Sequence, residues 1–362
     1  MIRILQCVNN MQRAGLETLL MNYYRNIDRE KLQFDFLMHR SEPSAYDDEI
    51  ESMGGRIFRA PRLYPHNYPA YFAHMSRFFR EHPEYTIVHS HIDAMSWLPL
   101  LAARRAGVPV RIAHSHNTDI DRDLKYPLKQ MFRFLLPTVT THRAACGTEA
   151  GRFLFRGGDF QIIPNAVDAA AFAYDAALRH DKRLELGLND ALVMGHAGRF
   201  TDVKNQAFLV DVLYQVLRAE PEAMLLLAGT GAREGAVKEK AAAMGLADRV
   251  LFLGSRSDMA GLYQAMDVFV MPSLFEGLPV VGVEAQFAGL PCVFSDKITR
   301  ELAFTERCSF LPLEGGAELW AQEILRRGRA QLPRTGVCCP DYDIKQAAKA
   351  LEEYYMRLYE QR

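Results

Sequence analysis

The sequence lacks the features that mark secreted, membrane-spanning and nucleic-acid-binding proteins. Its six cysteines show neither a metal-binding spacing nor a disulfide framework, a pattern typical of reduced thiols in a cytoplasm. The longest apolar run, Trp97–Ala103, is too short to cross a bilayer, and no basic and then apolar leader precedes the first predicted strand. A net charge of -1 gives no sign of the strongly basic domain that is typical of nucleic-acid binders. We therefore expect a cytoplasmic protein without a nucleic-acid partner.

Short apolar runs alternate with helical patterns through both halves of the chain, whose 362 residues exceed what one hydrophobic core usually serves. This alternation predicts an α/β protein with two Rossmann-like, doubly wound domains that face each other across a cleft. We place the first domain at residues 1–170, the second at 171–343, and a final helix, 344–362, packing back towards the first domain. The cleft is the expected place for a ligand.

Two carboxylates mark the segment Met271–Asp296, which predicts a strand, a turn, a helix and a second strand. In a parallel sheet the carboxyl ends of the strands and the helix amino termini face the ligand, and the helix dipole favours anions there. Glu276 lies in the predicted loop, next to Gly277, and Glu284 lies early on the predicted helix. We expect both acids to face the cleft and to bind hydroxyl groups.

A second cluster of polar residues follows the first strand of the second domain. Arg199 and Lys204 flank the turn there, before a predicted helix, and such a pair can clamp a diphosphate. A solvated loop is the alternative, but the position at the carboxyl end of a strand favours the clamp. Gly229, in the next strand-to-helix turn, would let backbone approach a base or phosphate, and a plain turn is an equally good interpretation. Neither Gly229 nor Gly15 completes the G-x-G-x-x-G fingerprint, which argues against a nicotinamide dehydrogenase.

Together these motifs resemble those of the retaining GT-B glycosyltransferases of family GT4, in particular the enzymes of bacterial capsule and exopolysaccharide assembly. The likeness rests on GR-x4-KN at residues 198–205, the E-x7-E pair of Glu276 and Glu284, the turn Pro164–Asp168 and the N-terminal glycine loop. It implies that the second domain holds a nucleotide-sugar and that the first presents the acceptor. A UDP-sugar is the expected donor, with a GDP-sugar as the alternative, and neither a cofactor nor a metal is implied.

The resemblance also implies a role for each candidate residue. Glu276 would contact hydroxyls of the donor sugar and Glu284 those of the ribose. A histidine at the end of the fifth strand would act near the anomeric carbon, and His114 fits this position, with His116 as its rival. His114 and Glu276 are thus the expected catalytic residues. The expected donor-binding residues are Gly15, Arg199, Lys204, Gly229, Glu276, Gly277 and Glu284.

The implied reaction moves a sugar from a nucleoside-diphosphate donor to a glycan or lipid-linked glycan acceptor with retention of configuration, in surface polysaccharide assembly. A nucleotide-sugar epimerase of the same two-domain architecture is an alternative, against which the pair of Glu276 and Glu284 argues. A non-catalytic nucleotide-sugar-binding protein is another, and such a protein would lose His114 or Glu276, whereas both are present.

Residues 123–137 predict an amphipathic helix. Its apolar stripe contains Leu124, Leu128, Phe132 and Leu135, and beside it recur Lys125, Lys129 and Arg133. This pattern fits a helix lying on an anionic membrane at the inner face of the cell membrane, where a lipid-linked acceptor would be found. It fits a helix that faces the core equally well.

Overall fold

The computed structural model describes residues 1–119, 125–330 and 333–362, which form two compact units. The first unit contains Met1–Ala166 and Ile344–Arg362, and the second contains Val167–Asp343. The chain therefore leaves the first unit after its seventh strand and returns to it with the last helix.

The first unit is built on a seven-stranded parallel sheet with the order β3-β2-β1-β4-β5-β6-β7. Its strands are β1 (Ile2–Val8), β2 (Leu32–Met38), β3 (Ile57–Arg59), β4 (Ile87–Ser90), β5 (Val110–Ser115), β6 (His142–Ala145) and β7 (Gln161–Ile162). Its helices are α1 (Gly15–Asn26), α2 (Asp47–Ser52), α3 (Tyr68–Glu81), α4 (Trp97–Arg105), α5 (Tyr126–Leu135) and α6 (Thr148–Phe155). The strand order reverses between β1 and β4, and ligands bind beyond the carboxyl ends of strands at such a point.

The second unit contains a six-stranded parallel sheet with the order β10-β9-β8-β11-β12-β13. Its strands are β8 (Val193–Ala197), β9 (Met224–Ala228), β10 (Val250–Gly254), β11 (Val268–Met271), β12 (Cys292–Ser295) and β13 (Cys308–Leu311). Its helices are α7 (Ala169–Phe172), α8 (Ala176–Glu185), α9 (Gln206–Val216), α10 (Glu234–Ala243), α11 (Met259–Ala265), α12 (Val280–Phe287) and α13 (Gly316–Arg329). Here the order reverses between β8 and β11.

The last helix, α14 (Ile344–Glu360), packs on the first unit. Its buried side chains recur at helical spacing and form one apolar face. The ring of Tyr355 meets Phe34 of β2 edge to face, with the ring centroids 5.9 Å apart. The carboxylate of Glu352 accepts a hydrogen bond of 2.6 Å from the backbone N–H of Asp28. These contacts bring Tyr355 over the middle of the sheet.

Several elements differ from the sequence-based expectation. Six elements were not predicted, namely the helices α2, α3, α6, α11 and α13 and the strand β13. Of these, α3 buries Tyr71, Met75, Phe78 and Phe79 at helical spacing. Its mixture of aromatic and basic residues hid that spacing. By contrast, the Ala-rich and charged segment after Asn165 was expected to be an interdomain connection with some helix, and it does contain the helices α7 and α8. Their first turns are capped by the carboxylates of Asp168 and Asp175.

Helix α5 packs its predicted apolar stripe on the core. Phe132 is buried and stacks on Trp97 with the ring centroids 4.8 Å apart, and Leu128 packs against the same cluster. Residues 123 and 124 of the predicted amphipathic segment lie outside the described residues. On α5, Met131 is 47% exposed and Phe134 is 68% exposed. The apolar surface that α5 offers to solvent is therefore a different face from the predicted one.

No helix in the described parts of the chain is both long enough and apolar enough to cross a membrane.

Candidate active site

The loops that follow β8 and β11 meet at the point where the strand order of the second unit reverses. The backbone N–H of Leu274 donates to the carbonyl of Val203 (2.8 Å), and the side-chain amide of Asn205 donates to the carbonyl of Pro272 (3.3 Å). The loops approach each other because β8 and β11 are neighbours in the sheet. The motif around Arg199 and the motif around Glu276 are thereby brought together.

An ion pair joins the two motifs. The Lys204 ammonium lies 2.5 Å from Oε1 of Glu276, and the two side chains are only 20% and 13% exposed. The Arg199 side chain is exposed, while its carbonyl accepts a hydrogen bond of 2.9 Å from the Gln206 amide at the start of α9. Gly277 is buried and lies just before α12 begins at Val280. The cation predicted for the diphosphate is therefore in contact with the acid predicted for the sugar.

Glu284 lies in the second turn of α12, and only 6% of it is exposed. Burial raises the pKa of its carboxyl group to about 7, and a hydrogen bond of 2.7 Å from the hydroxyl of Tyr263 opposes this rise. Tyr263, on α11, did not enter the sequence-based site because nothing local connects it to Glu284. Further hydroxyl donors at this carboxylate would replace the solvation that it loses on burial and would favour its ionised form.

The two glycines proposed to lie near the donor differ in their surroundings. Gly229 has a φ of +132°, and a Cβ there would collide with the carbonyl of Gly198. The two turns can therefore pack against each other only because Gly229 has no side chain. Gly15 begins α1, and a Cβ there would meet no atom of the described residues within 4 Å. Open space at a helix amino terminus suits the approach of a ligand.

Four histidines form a cluster at the carboxyl ends of β4 and β5, and His114 is one of them. The sequence His-Ser-His occurs at the end of both strands, at residues 89–91 and 114–116. His89 and His91 stack with the ring centroids 4.2 Å apart, and His114 and His116 stack at 4.0 Å. Since β4 and β5 are paired in the sheet, all four rings meet. The repeated triplet was the signal that could have predicted this cluster.

Hydrogen bonds between ring nitrogens connect the cluster. Nε2 of His89 lies 3.1 Å from Nδ1 of His114, and Nδ1 of His91 lies 3.0 Å from Nε2 of His116. Burial lowers the pKa of each of the four imidazoles well below the usual value of 6.5. All four rings are therefore neutral near pH 7, and each carries a single N–H.

The cluster also has the composition of a metal site. Ligand nitrogens of His89, His91 and His114 lie within 4.8 Å of one another. However, His89 and His91 each use both ring nitrogens in hydrogen bonds, including bonds to Tyr355 and Gln6. A metal would have to break these bonds to gain a lone pair from either ring. The geometry favours a hydrogen-bonded network of neutral imidazoles.

The family of the chain follows from comparison with known proteins. Residues 13–171 match the family model "Glycosyltransferase Family 4", and residues 191–327 match "Glycosyl transferases group 1". The chain is 39% identical over 342 residues to the putative glycosyltransferase EpsF of Bacillus subtilis (strain 168), covering 92% of this chain and 89% of the relative.

A more distant relative is the UDP-Gal:alpha-D-GlcNAc-diphosphoundecaprenol alpha-1,3-galactosyltransferase of Escherichia coli. It is 29% identical over 225 residues, which cover 59% of this chain and 58% of the relative. Among solved structures, Anabaena Alr3699/HepE in complex with UDP and glucose superposes with a TM-score of 0.80 at 18% identity, covering 98% of this chain and 100% of that one.

The fold and the matches define a glycosyltransferase with the GT-B fold, as the sequence-based prediction had it. The chain belongs to the retaining glycosyltransferases of family 4. Enzymes of this family use a nucleotide-sugar as substrate and need no further cofactor. None of these matches points to a nucleotide-sugar epimerase.

Proposed function

We propose that this enzyme transfers a sugar from a UDP-sugar to a lipid-linked glycan acceptor in surface polysaccharide assembly, with retention of configuration. The observation that carries the proposal is the Lys204–Glu276 ion pair beside the amino terminus of α12. The choice of UDP is supported by the HepE complex with UDP and by the UDP-Gal donor in the name of the Escherichia coli relative. That relative's diphosphoundecaprenol acceptor supports a lipid-linked acceptor.

The Lys204–Glu276 ion pair can be replaced by a contact between Lys204 and an anionic ligand. Without a donor, Lys204 and Glu276 neutralise each other at partial burial. An arriving diphosphate carries more negative charge than a carboxylate and therefore draws Lys204 to itself, with Arg199 and the amino terminus of α12 as further positive partners. Glu276 then becomes available as an acceptor for sugar hydroxyls. Donor binding thus releases Glu276 from Lys204 and makes it available to the sugar hydroxyls in the same step.

The family resemblance supplies the roles that we propose for the remaining residues. Glu284 accepts hydrogen bonds from the ribose hydroxyls, and His114 hydrogen-bonds the transferred sugar. Gly15, Gly229 and Gly277 leave room for backbone close to the ligand. The bond from the anomeric carbon to the leaving phosphate breaks while the acceptor oxygen attacks from the same face, through an oxocarbenium-like transition state. The leaving phosphate takes the acceptor's proton, so that no side chain need become covalently bound.

Thermal-shift measurements with UDP, GDP and ADP test the donor class. We expect the largest rise in Tm with UDP, because a ligand that binds only the folded state stabilises it by mass action. Lys204→Ala should abolish most of that rise. Lys240→Ala is the matched control, because Lys240 is also paired with a carboxylate at 2.5 Å in the same unit. A chain that no nucleotide stabilises would contradict the proposal.

Release of sugar from a radiolabelled UDP-sugar, with and without a lipid-linked acceptor, tests the reaction. We expect transfer that depends on the acceptor. Conversion of the donor into an isomeric nucleotide-sugar would identify an epimerase instead, and tight donor binding without turnover would identify a binding protein.

We propose further that the exposed face of α5 contacts the inner face of the cell membrane. Met131 and Phe134 lie about one turn apart on this helix and are solvent-exposed, so both side chains can insert together into the boundary between lipid headgroups and acyl chains. Wild-type protein should float with anionic vesicles, whereas the double variant Met131→Glu/Phe134→Glu should not. Leu184→Glu alters a residue that is 72% exposed on α8 and should float normally. A wild-type protein that stays at the bottom of the gradient would rule out this contact.

A further inference from the structure

A continuous path of hydrogen bonds leads from the first strand through the last helix to His114. The side-chain amide of Gln6 donates to the phenol oxygen of Tyr355 at 3.2 Å. That oxygen lies 2.6 Å from Nδ1 of His89, and Nε2 of His89 lies 3.1 Å from Nδ1 of His114. Gln6, Tyr355, His89 and His114 are all buried, so bulk water does not compete for these bonds.

The direction of each hydrogen bond follows from counting protons. Burial raises the pKa of Tyr355, so its hydroxyl keeps its proton. Of its two hydrogen-bond partners among the described residues, the Gln6 amide nitrogen is itself a donor, so the hydroxyl proton is satisfied by donation to Nδ1 of His89. The single N–H of neutral His89 is therefore on Nε2, and it donates to Nδ1 of His114. The single N–H of His114 is then on Nε2.

The Gln6 amide is oriented by a second histidine. Its oxygen Oε1 accepts a hydrogen bond of 2.8 Å from Nε2 of His91, which leaves its nitrogen to donate to Tyr355. Nδ1 of His91 in turn faces Nε2 of His116. Both ends of the amide are thus engaged, and a reversed amide would reverse every bond along the path to His114.

The path ends in an unused donor. Nε2 of His114 is buried and has no hydrogen-bond partner within residues 1–119, 125–330 and 333–362. Buried donors are nearly always satisfied, so this N–H, at the carboxyl end of a parallel sheet, is available to an oxygen of a ligand or of an ordered water.

We propose that Tyr355 is a positioning residue that acts through His89 to hold His114 in the tautomer with its proton on Nε2. His114 is thereby a fixed hydrogen-bond donor to an oxygen of the ligand and does not accept a proton there. The identity of that oxygen, on the transferred sugar, rests on the proposed function, whereas the tautomer does not. The last helix, more than 200 residues from either histidine strand, then contributes to the site without touching the substrate.

The tautomer can be measured without any substrate by NMR of protein labelled with ¹⁵N-histidine at neutral pH. The His114 signals are those lost in His114→Gln. We expect a protonated Nε2 and an unprotonated Nδ1 for His114 in the wild type. In Tyr355→Phe the donor to His89 is gone, and His114 should show a mixture of both tautomers. A wild-type His114 with its proton on Nδ1, or an unchanged tautomer in Tyr355→Phe, would overturn the proposal.

Tyr23→Phe is the matched control. Tyr23 is a buried tyrosine of the same unit whose hydroxyl donates to the carbonyl of Pro164 at 2.7 Å, outside the path to His114. It removes one buried phenol hydrogen bond, as Tyr355→Phe does, and should leave the His114 tautomer and kcat unchanged. A tautomer change of equal size in this control would show that loosened packing alone is responsible, and would overturn the proposal.

Kinetics provide the second readout. A histidine held in the wrong tautomer loses much of its function, so kcat of Tyr355→Phe should fall on the order of tenfold or more while the donor KM changes little. Unchanged kcat together with a mixed tautomer would refute the positioning role. The expected tautomers in a protein that transfers no sugar would contradict the proposed function and leave the assignment of Tyr355 standing.

Discussion

The two units of this glycosyltransferase have similar parallel sheets, but the polar groups at the carboxyl ends of their strands differ in charge. At the carboxyl ends of β4 and β5 in the first unit, four neutral histidines form hydrogen bonds, and none of them carries a charge near pH 7. At the corresponding end of the second unit, Lys204 and Glu276 form an ion pair and Glu284 lies close to ionisation. The ion pair lies where the strand order of its sheet reverses, between β8 and β11, and the histidine cluster lies beside the reversal of its own sheet, on β4 and β5.

The difference matches the groups that we propose each site to bind. A diphosphate carries formal charge, so charged partners and a helix amino terminus can bind it strongly. A sugar hydroxyl is neutral, so a neutral donor of fixed orientation binds it without the cost of burying a charge. Selectivity in the first unit then depends on the tautomer of His114. In the second unit it depends on the ionisation of Lys204, Glu276 and Glu284.

The largest effect should come from Glu276→Ala in the charged site. We expect kcat to fall roughly 100- to 1000-fold, as when a group that acts mainly in the transition state is removed, with UDP affinity retained because Lys204 is still present. Steady-state kinetics and UDP titration measure the two quantities. Glu222→Ala, which removes another ion-paired carboxylate of this unit, should have little effect on either. Near-normal kcat in Glu276→Ala would contradict the role that we propose for this charged group in the second unit.

Glu284→Gln should separate the effect of the charge on the Glu284 carboxyl group from the effect of the side chain's shape. The folded-state pKa of about 7 lies above the ordinary value of 4.5, so burial of this carboxylate lowers the free energy of unfolding as the pH rises from 4.5 through 7. At about pH 8 the variant should gain on the order of 3 kcal/mol, and near pH 4 it should gain nothing. Denaturant titrations at both pH values measure this. We also expect weaker UDP binding, and an equal gain at both pH values would show that charge is not the cause.

Gly229→Ala should test which glycines serve packing. The added methyl group meets the carbonyl of Gly198, and the positive φ disfavours alanine, so the free energy of unfolding should fall by about 3 kcal/mol. Thermal unfolding measures the loss. Gly235→Ala is the control, because a Cβ on Gly235 of α10 would meet no described atom within 4 Å. Stability equal to that of the control would show that Gly229 is not required for the fold.

Gly15→Ala should give the smallest change in stability. Because Gly15 begins α1 and a Cβ there would meet no described atom within 4 Å, alanine should alter the free energy of unfolding by less than about 1 kcal/mol, in the stabilising direction. If the donor approaches this backbone, kcat/KM should nevertheless fall about tenfold, the usual effect of one extra carbon in a filled site. Unchanged kcat/KM would remove Gly15 from the proposed donor site.

The parallel strands were the most predictable elements. Met224–Ala228 and Val268–Met271 end in the structure at the residues where their apolar runs end in the sequence. A strand buried on both faces must be apolar throughout, so its limits are visible in the chain. By contrast, α3 and α13 carry charged residues on their solvent faces and basic residues near their carboxyl ends, and their buried faces were not recognised.

The site was predictable only where its residues share a local motif. The order of strand, turn and helix was sufficient to predict that Arg199, Lys204 and Glu276 lie in strand-to-helix loops, but not that Lys204 and Glu276 are in contact. His114 was selected by the family resemblance, whereas its hydrogen-bond partner His89 comes from another strand.

By itself, the sequence determined the two parallel sheets, the loops that carry the charged residues and the resemblance to a glycosyltransferase family, because these depend on periodicity and on short motifs. Only the tertiary structure decided how the polar groups are paired. Tyr355 meets His89 across 266 positions of the chain, and Glu284 meets Tyr263 from a different helix. Hydrogen bonds depend on distances of a few tenths of an ångström between side chains, and no local pattern in a chain determines such distances.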